Sequence, residues 1–168
     1  MHGRVIVLAA AALLLAACSG SPEPPPGGPG GMGEPGSLGG PGGINRSELG
    51  PGSQHDLAAT VGDRVFFAYD QSDISPEAQQ ILQRQAAWLK QYPHVGVTIE
   101  GHTDERGTRE YNLSLGERRA QAVKNVLIAL GIPAARLTTI SYGKERPEVP
   151  HSDERSFAQN RRAVTVVK

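Results

Sequence analysis

Residues 100–120 of the chain read EGHTDERGTREYNLSLGERRA, and this run is the most informative part of the sequence. It follows residues 95–99 (VGVTI), whose apolar alternation predicts a β-strand. Small and apolar residues then recur at intervals of three and four: Gly116, Ala120, Val123, Leu127 and Leu130. This spacing predicts an amphipathic helix with one buried face. The polar residues between the two elements therefore lie at a strand-to-helix junction, where scaffolds commonly present binding groups.

Two oppositely charged residues stand out at this junction, Asp104 and Arg119. An arginine presents a rigid fork of donors that fits a carboxylate, and an aspartate accepts hydrogen bonds from an ammonium group. If the two side chains lie close together, they suit a ligand that carries both charges on one carbon, such as the free end of an amino acid. A structural ion pair of Asp104 with Arg106 or Arg119 is equally compatible with the spacing.

The flanking segments predict an α+β domain. Ser75 and Pro76 look like an N-cap and the first position of a helix that runs to about Gln91, with Trp88 in its packed face. Residues 153–159 predict one short helical turn. Further strands are predicted at residues 64–69, 137–142 and 163–167. The order strand, helix, strand, helix, strand, strand predicts a sandwich in which helices cover one face of a mixed sheet.

The N-terminus carries the features of an export signal. His2 and Arg4 precede the apolar run 5–17, which is too short to span a bilayer and is typical of a signal peptide. The run ends in LAAC, and Cys18 is the only cysteine, so it has no partner for an internal disulfide. LAAC resembles the bacterial lipobox, whose cysteine is lipidated and becomes the first mature residue. The alternative is a small hydrophobic residue in a discarded segment.

Residues 18–53 are predicted to form a tether behind that cysteine. Positions 19–53 hold 13 Gly and 8 Pro among 35 residues, a composition that cannot bury a core. A flexible chain of this length spans roughly 30 Å on average. The folded domain is therefore predicted to occupy residues 54–168.

The central run resembles the outer-membrane protein A (OmpA) C-terminal-like family, in which the spacing G-H-x-D-x-x-G-x-x-x-Y-N matches residues 101–112. Residues 141–147 (SYGKERP) and 160–164 (NRRAV) add to the match. The resemblance covers residues 54–168. It implies an OmpA-C-like β-α-β-α-β(β) sandwich.

The resemblance also implies a function. Members of the family bind peptidoglycan non-covalently through diaminopimelate, and the residues matching Asp104 and Arg119 meet its amino and carboxyl groups. The predicted binding residues are Asp104, Arg119, Arg106, Asn112, Tyr69, Asp70, Thr103 and Leu115. For a lipid-anchored member the implied setting is the periplasmic face of the outer membrane. The implied partners are peptidoglycan, TolB and the other Tol proteins, and the implied role is envelope integrity and constriction at cell division.

Other chemistries are less well supported by the sequence. Equal counts of acidic and basic residues, 17 each, give no basic footprint for nucleic acid. His94, His102, Asp104 and His151 lack the spacing of a metal motif, and His102 is predicted to order its loop through hydrogen bonds.

No nucleophile elbow occurs, and carboxylates beside arginines should stay ionised and bind rather than catalyse. The prediction is therefore a binding protein without a cofactor, a metal or an enzymatic activity. Two alternatives remain: an OmpA-like anchor of another envelope machine such as a secretion system, and an enzyme that cleaves the cell wall.

Overall fold

A computed structural model describes residues 49–168 of the chain. In chain order this part contains α1 (Gln54–Thr60), β1 (Arg64–Phe66), α2 (Pro76–Gln91), β2 (Val97–His102), α3 (Arg109–Ala129), β3 (Leu137–Gly143), α4 (Glu154–Asn160) and β4 (Arg162–Val167), with a 3-10 turn at Ala134–Arg136 before β3. None of the helices between residues 49 and 168 combines the length and apolar character needed to span a bilayer. Cys18, the signal peptide predicted at 1–17 and the tether up to residue 48 lie outside the described residues.

The four strands form one mixed sheet in the order β1-β4-β2-β3. The last strand, β4, lies antiparallel between β1 and β2, whereas β2 and β3 are parallel. The helices α2 and α3 pack on one face of the sheet, where Leu82 and Leu127 meet Val97 and Ile99 in a continuous buried core. This arrangement confirms the predicted α+β fold with helices on one face of a mixed sheet.

Local sequence signals fix the helix starts. Ser75 accepts a hydrogen bond from the Ala78 amide at 3.2 Å, and Pro76 occupies the first turn, as predicted. The second helix also ends at Gln91, as predicted. Its buried face includes Trp88, whose predicted packing role is confirmed because only 5% of the residue is exposed.

The structure differs from the predictions most clearly at two places, besides a shift of the strand predicted at residues 95–99 to Val97–His102. The strand predicted at residues 64–69 ends at Phe66, because the next residue, Phe67, pairs with Arg161 outside the ladder and Asp70 adopts φ 58°. The helix α1 was not predicted, because a seven-residue helix behind a glycine- and proline-rich segment gives little periodic signal. It begins at the Ser53 N-cap and buries Leu57 completely.

Two glycines set the close approach of α3 to the sheet. A Cβ atom added to Gly101 would lie 1.8 Å from the Gly116 carbonyl oxygen, and one added to Gly116 would lie 2.3 Å from Ser141 Oγ. Only residues without a side chain fit at this crossing. The crossing brings the first turns of α3 against the loop that follows β2, and so places Arg119 and Asp104 in the wall of one cavity.

Candidate ligand-binding site

A cavity of about 200 Å³ opens at the junction of β2 and α3. All eight residues predicted to bind ligand line it: Tyr69, Asp70, Thr103, Asp104, Arg106, Asn112, Leu115 and Arg119. Three further residues complete its wall, namely Gly107, Tyr111 and Arg161. The first two lie within the run quoted above, whereas Arg161 is far away in sequence. The structure therefore gathers residues from the ends of three strands around one space.

Asp104 lies in the cavity wall with only 5% of the residue exposed. Its Oδ2 atom accepts hydrogen bonds from Arg106 Nη2 at 2.6 Å and from Arg161 Nη1 at 3.3 Å, and its Oδ1 atom accepts from the Arg106 amide at 3.2 Å. Burial opposes ionisation of the carboxyl, but these donors more than offset it and lower the pKa of Asp104. Since an ionised carboxylate offers about four acceptor positions, one remains open, on Oδ1.

Arg119 is fully buried, and its guanidinium donates to three backbone carbonyls. Nε donates to Gln71 O at 2.8 Å, Nη1 to His102 O at 2.8 Å and Nη2 to Ala68 O at 3.2 Å. Burial lowers the pKa of Arg119 to about 10, and the negative charge of Asp104 opposes that effect. Because a guanidinium has five N–H donors, the bonds within the described part of the chain leave two.

These contacts answer the question that the spacing left open about Asp104. Of the described residues, it is Arg106 and Arg161 that form ion pairs with Asp104, while Arg119 contacts the same cavity without pairing with the carboxylate. Arg119 instead holds loop 68–71 to the end of β2. Direct contact between Arg119 and a ligand stays a prediction.

Arg106 lies at the mouth of the cavity between two aromatic rings. Its guanidinium carbon is 4.1 Å from the ring centre of Tyr69 and 4.6 Å from that of Phe157, distances suited to cation–π contact. Its bond to Asp104 raises the pKa of Arg106. Tyr69 remains 58% exposed at the rim, so its ring is available to a ligand.

The remaining wall residues differ in their roles. Tyr111 donates its hydroxyl to the Asp70 carboxylate at the rim. Asn112 is buried and donates to Arg106 O at 2.8 Å and Thr108 O at 3.0 Å, which closes the loop rather than facing the cavity with free donors. Leu115 contributes apolar wall.

The prediction that His102 orders its loop through hydrogen bonds holds for the backbone only, because its carbonyl accepts the bond from Arg119. Within the described part of the chain both ring nitrogens are buried without a hydrogen-bond partner, and Glu100 Oε2 lies 3.6 Å from Nε2. Burial, followed by the positive charge of Arg162, lowers the pKa of His102 to about 4. The imidazole is therefore neutral at pH 7. Between residues 49 and 168 no group of three or more His, Cys, Asp or Glu side chains is arranged to hold a metal ion.

The balance of charge in the wall defines what the cavity can bind. It contains two carboxylates, Asp70 and Asp104, and three guanidinium groups, Arg106, Arg119 and Arg161. Such a wall can accept a small ligand that carries both charges, and its excess of positive charge favours the carboxylate end. Because most of these groups are shielded from water, their interactions with a ligand are less screened than those of surface ions.

A fold and a site of this kind define the OmpA class of domain, and the chain belongs to the OmpA family, whose model matches residues 66–161. The chain is 57% identical over 117 residues to the peptidoglycan-associated lipoprotein of Agrobacterium fabrum, covering 70% of this chain and 66% of that protein. It is 54% identical over 125 residues to the peptidoglycan-associated lipoprotein of Rhizobium meliloti, covering 74% and 71%.

A solved structure gives the same result. The crystal structure of the peptidoglycan-associated lipoprotein from Burkholderia pseudomallei superimposes with a TM-score of 0.64 at 41% identity, covering 73% of this chain and 99% of that one. The OmpA-C-like fold and the resemblance found in the sequence are thus confirmed. The relatives are named as lipoproteins rather than as enzymes.

Proposed function

We propose that this chain is a lipid-anchored, non-enzymatic protein of the outer membrane that binds peptidoglycan in the cavity at the β2–α3 junction. The observation that carries the proposal is the cavity wall, where a shielded, ionised Asp104 retains one acceptor position beside an excess of guanidinium donors. A zwitterionic group matches both features. The names of the relatives point to peptidoglycan as the source of that group.

The proposed ligand group is the free end of diaminopimelate in the peptide stem. That end carries an ammonium and a carboxylate on one carbon. The ammonium is placed against Asp104, and the carboxylate against the guanidinium groups, with Tyr69 and Asp70 at the rim. Arg119, which lines the same cavity and keeps two N–H donors, is placed against that carboxylate as well.

The proposed cellular role follows from two attachments, a lipid at Cys18 and the peptidoglycan-binding cavity of the folded domain. Lipidation at Cys18 fixes the N-terminus in the outer membrane, the segment 18–53 acts as a tether, and the folded domain captures the wall reversibly. The protein then links membrane and wall as part of the Tol system, with TolB as a periplasmic partner, and supports envelope constriction at division.

Sedimentation with purified peptidoglycan tests the site. Asp104→Asn keeps the shape of the side chain but removes the charge, and a charge-assisted hydrogen bond contributes about 1.5–3 kcal/mol. We therefore expect binding to weaken at least about tenfold. Asp73→Asn is the matched control, because Asp73 is exposed and lies outside the cavity wall. Equal binding by both variants and the unaltered protein would show that peptidoglycan does not bind in this cavity.

Ligand chemistry is tested by competition. Free diaminopimelate should displace the protein from diaminopimelate-type peptidoglycan, whereas lysine, which lacks the second carboxylate, should compete far less well. Lysine-type peptidoglycan should likewise bind weakly. Equal competition by both amino acids contradicts recognition of the second carboxylate.

The anchor is tested separately from the site. In growing cells Cys18→Ser should abolish incorporation of labelled palmitate and release the protein from the outer-membrane fraction. Ser19→Ala is the control and should remain membrane-bound. Retention of label and membrane association by the Cys18 variant would show that the lipobox interpretation is wrong.

A further inference from the structure

We infer that Arg161 is a positioning residue of the cavity, which fixes Asp104 and the loop after β1 relative to each other. The inference rests on the proposed function, because it assigns to Arg161 the orientation of the group that meets the ligand. It concerns a residue outside the run that predicted the site, at the junction between α4 and β4.

The contacts of Arg161 join three separate segments. Its Nε donates to Phe67 O at 3.1 Å, and its own carbonyl accepts from the Phe67 amide at 2.9 Å. Its Nη1 donates to Asp104 Oδ2 at 3.3 Å and to Glu154 Oε1 at 2.9 Å. The side chain is nine-tenths buried, so these bonds are shielded from water. Arg161 thus ties the end of β1, the loop after β2 and the first turn of α4 together.

The position of Arg161 distinguishes it from Arg106, the other partner of Asp104. The Arg106 side chain is 36% exposed at the cavity mouth, where an entering ligand can displace it. The Arg161 side chain is only 9% exposed and is held by two further acceptors, Phe67 O and Glu154. Arg161 can therefore keep Asp104 in place when Arg106 moves aside.

Arg161 is also expected to keep Asp104 charged. The charged groups of the cavity wall around Asp104 are Arg106 and Arg161, which are bonded to it, and Arg119 and Asp70; Glu154 shares both bonded arginines. An opposite charge at hydrogen-bonding distance favours the ionised carboxylate. Loss of Arg161 should therefore raise the pKa of Asp104, so that ligand binding fails at a higher pH than in the unaltered protein.

The test titrates the Asp104 carboxyl group by NMR in the purified protein without ligand. For Arg161→Gln we expect the midpoint to rise by about one pH unit, since a bonded opposite charge shifts a carboxyl by one to three units. Arg162→Gln is the matched control: Arg162 is the next residue and is also buried, but it pairs with Glu148 away from the cavity. In Arg162→Gln the midpoint of the Asp104 titration should equal that of the unaltered protein.

A second variant allows the test to be made if Arg161→Gln does not fold. Arg161→Lys retains the charge but cannot donate from one planar fork to Phe67 O, Asp104 and Glu154, so we expect a smaller rise in the same direction. An unmoved midpoint in Arg161→Gln, or in Arg161→Lys if the glutamine variant does not fold, overturns the inference. A rise of equal size in Arg162→Gln also overturns it.

Peptidoglycan sedimentation across pH separates this inference from the proposed function. On acidification, Arg161→Gln should lose peptidoglycan binding at a higher pH than the unaltered protein, by the shift measured for Asp104. Its binding at pH 7 should also weaken, because Asp104 is less well held. If the unaltered protein fails to bind peptidoglycan at any pH, the proposed function fails, while the NMR titration still decides whether Arg161 positions Asp104. If the NMR midpoint of Asp104 rises but the pH at which peptidoglycan binding is lost does not, Arg161 does not act on the ligand through Asp104. That result overturns the inference.

Discussion

Buried guanidinium groups determine the geometry of the cavity at the scale of single residues. Arg119 satisfies three backbone carbonyls at once, and two of them belong to loop 68–71. Such a residue holds the site together before any ligand arrives, because unpaired buried carbonyls are costly. Its structural and binding contributions must therefore be measured separately.

Arg119→Met should destabilise the fold strongly. It removes the side-chain donor from Gln71 O and His102 O, each costing about 1–3 kcal/mol, whereas Ala68 O keeps the Gln71 amide, so the free energy of unfolding should fall by about 2 kcal/mol or more. Arg118→Met is the matched control, because Arg118 is exposed and its contacts with Ser114 and the Tyr111 ring are surface contacts within the same helix; its effect should stay within about 0.5 kcal/mol. Urea unfolding measures both. Similar values for the two variants would contradict the role assigned to Arg119.

His102 should make stability depend on pH. Its pKa is 6.5 ordinarily and about 4 in the folded protein, so below pH 6.5 the unfolded chain binds a proton that the folded protein excludes. The associated stability is complete above pH 6.5 and is lost as the pH falls towards 4, with a total of about 3 kcal/mol. His102→Leu should flatten the dependence of unfolding free energy on pH in this window.

The control for that titration is His94→Gln. His94 is exposed, so its replacement should leave the slope between pH 6.5 and 4 unchanged. The lowered pKa of Asp104 acts in a different window, because its contribution is lost only as the pH falls below the ordinary value of 3.8. If the free energy of unfolding of His102→Leu still falls between pH 6.5 and 4 as in the unaltered protein, another group causes the pH dependence.

At the scale of secondary-structure elements, the crossing of α3 over β2 controls the site. Both elements are long and regular, but their separation is set by Gly101 and Gly116. A small outward shift of α3 would move Arg119 away from the carbonyls of loop 68–71. Packing at this crossing and geometry in the cavity are therefore linked.

Gly116→Ala tests this link. An alanine normally favours a helix over glycine, but its Cβ would lie 2.3 Å from Ser141 Oγ and 2.9 Å from the Gly101 carbonyl oxygen. We expect overpacking to dominate and to lower the free energy of unfolding by about 1–3 kcal/mol, with weaker peptidoglycan binding. Gln121→Ala, on the exposed face of the same helix, should change neither measurement. A stabilised Gly116 variant would show that the crossing has room for a side chain.

At the scale of the whole molecule, the segment before β1 belongs to the folded domain. Leu57 is fully buried, and Asp56 accepts a hydrogen bond from Trp88 Nε1 at 3.0 Å. Gln54 bonds to β4 through the Val167 amide at 2.8 Å. The helix α1 thus covers the core next to α2 and β4. The boundary of the tether predicted at residue 53 stays a prediction, although Gly52 and Ser53 are already buried.

Removal of α1 should therefore weaken the entire fold. A fragment of residues 62–168 exposes the surface that Leu57 covers and loses several hydrogen bonds, so we expect its free energy of unfolding to be about 3 kcal/mol lower than that of residues 49–168. A fragment that starts at Gly50 keeps the helix with its N-cap and the Gly52–Asp56 hydrogen bond, and should match the longer one. Equal stability of all three fragments would show that α1 is dispensable.

The sequence by itself was sufficient for most of the elements and for the place of the cavity. Ser75 and Pro76 mark the start of α2, the small and apolar residues of α3 mark its buried face, and the polar run between β2 and α3 marks the cavity. These signals are local, because capping and periodicity depend on residues a few positions apart. The family resemblance predicted eight of the eleven residues that line the cavity.

Only the tertiary structure decided which charges meet. Asp104 and Arg161 are 57 positions apart, and they meet because β4 inserts between β1 and β2, which brings the start of the last strand beside the loop after β2. For the same reason Arg119 donates to carbonyls of a loop 48 and 51 positions away instead of to Asp104. Spacing along a chain cannot rank such partners, since the order of strands fixes the distances between them.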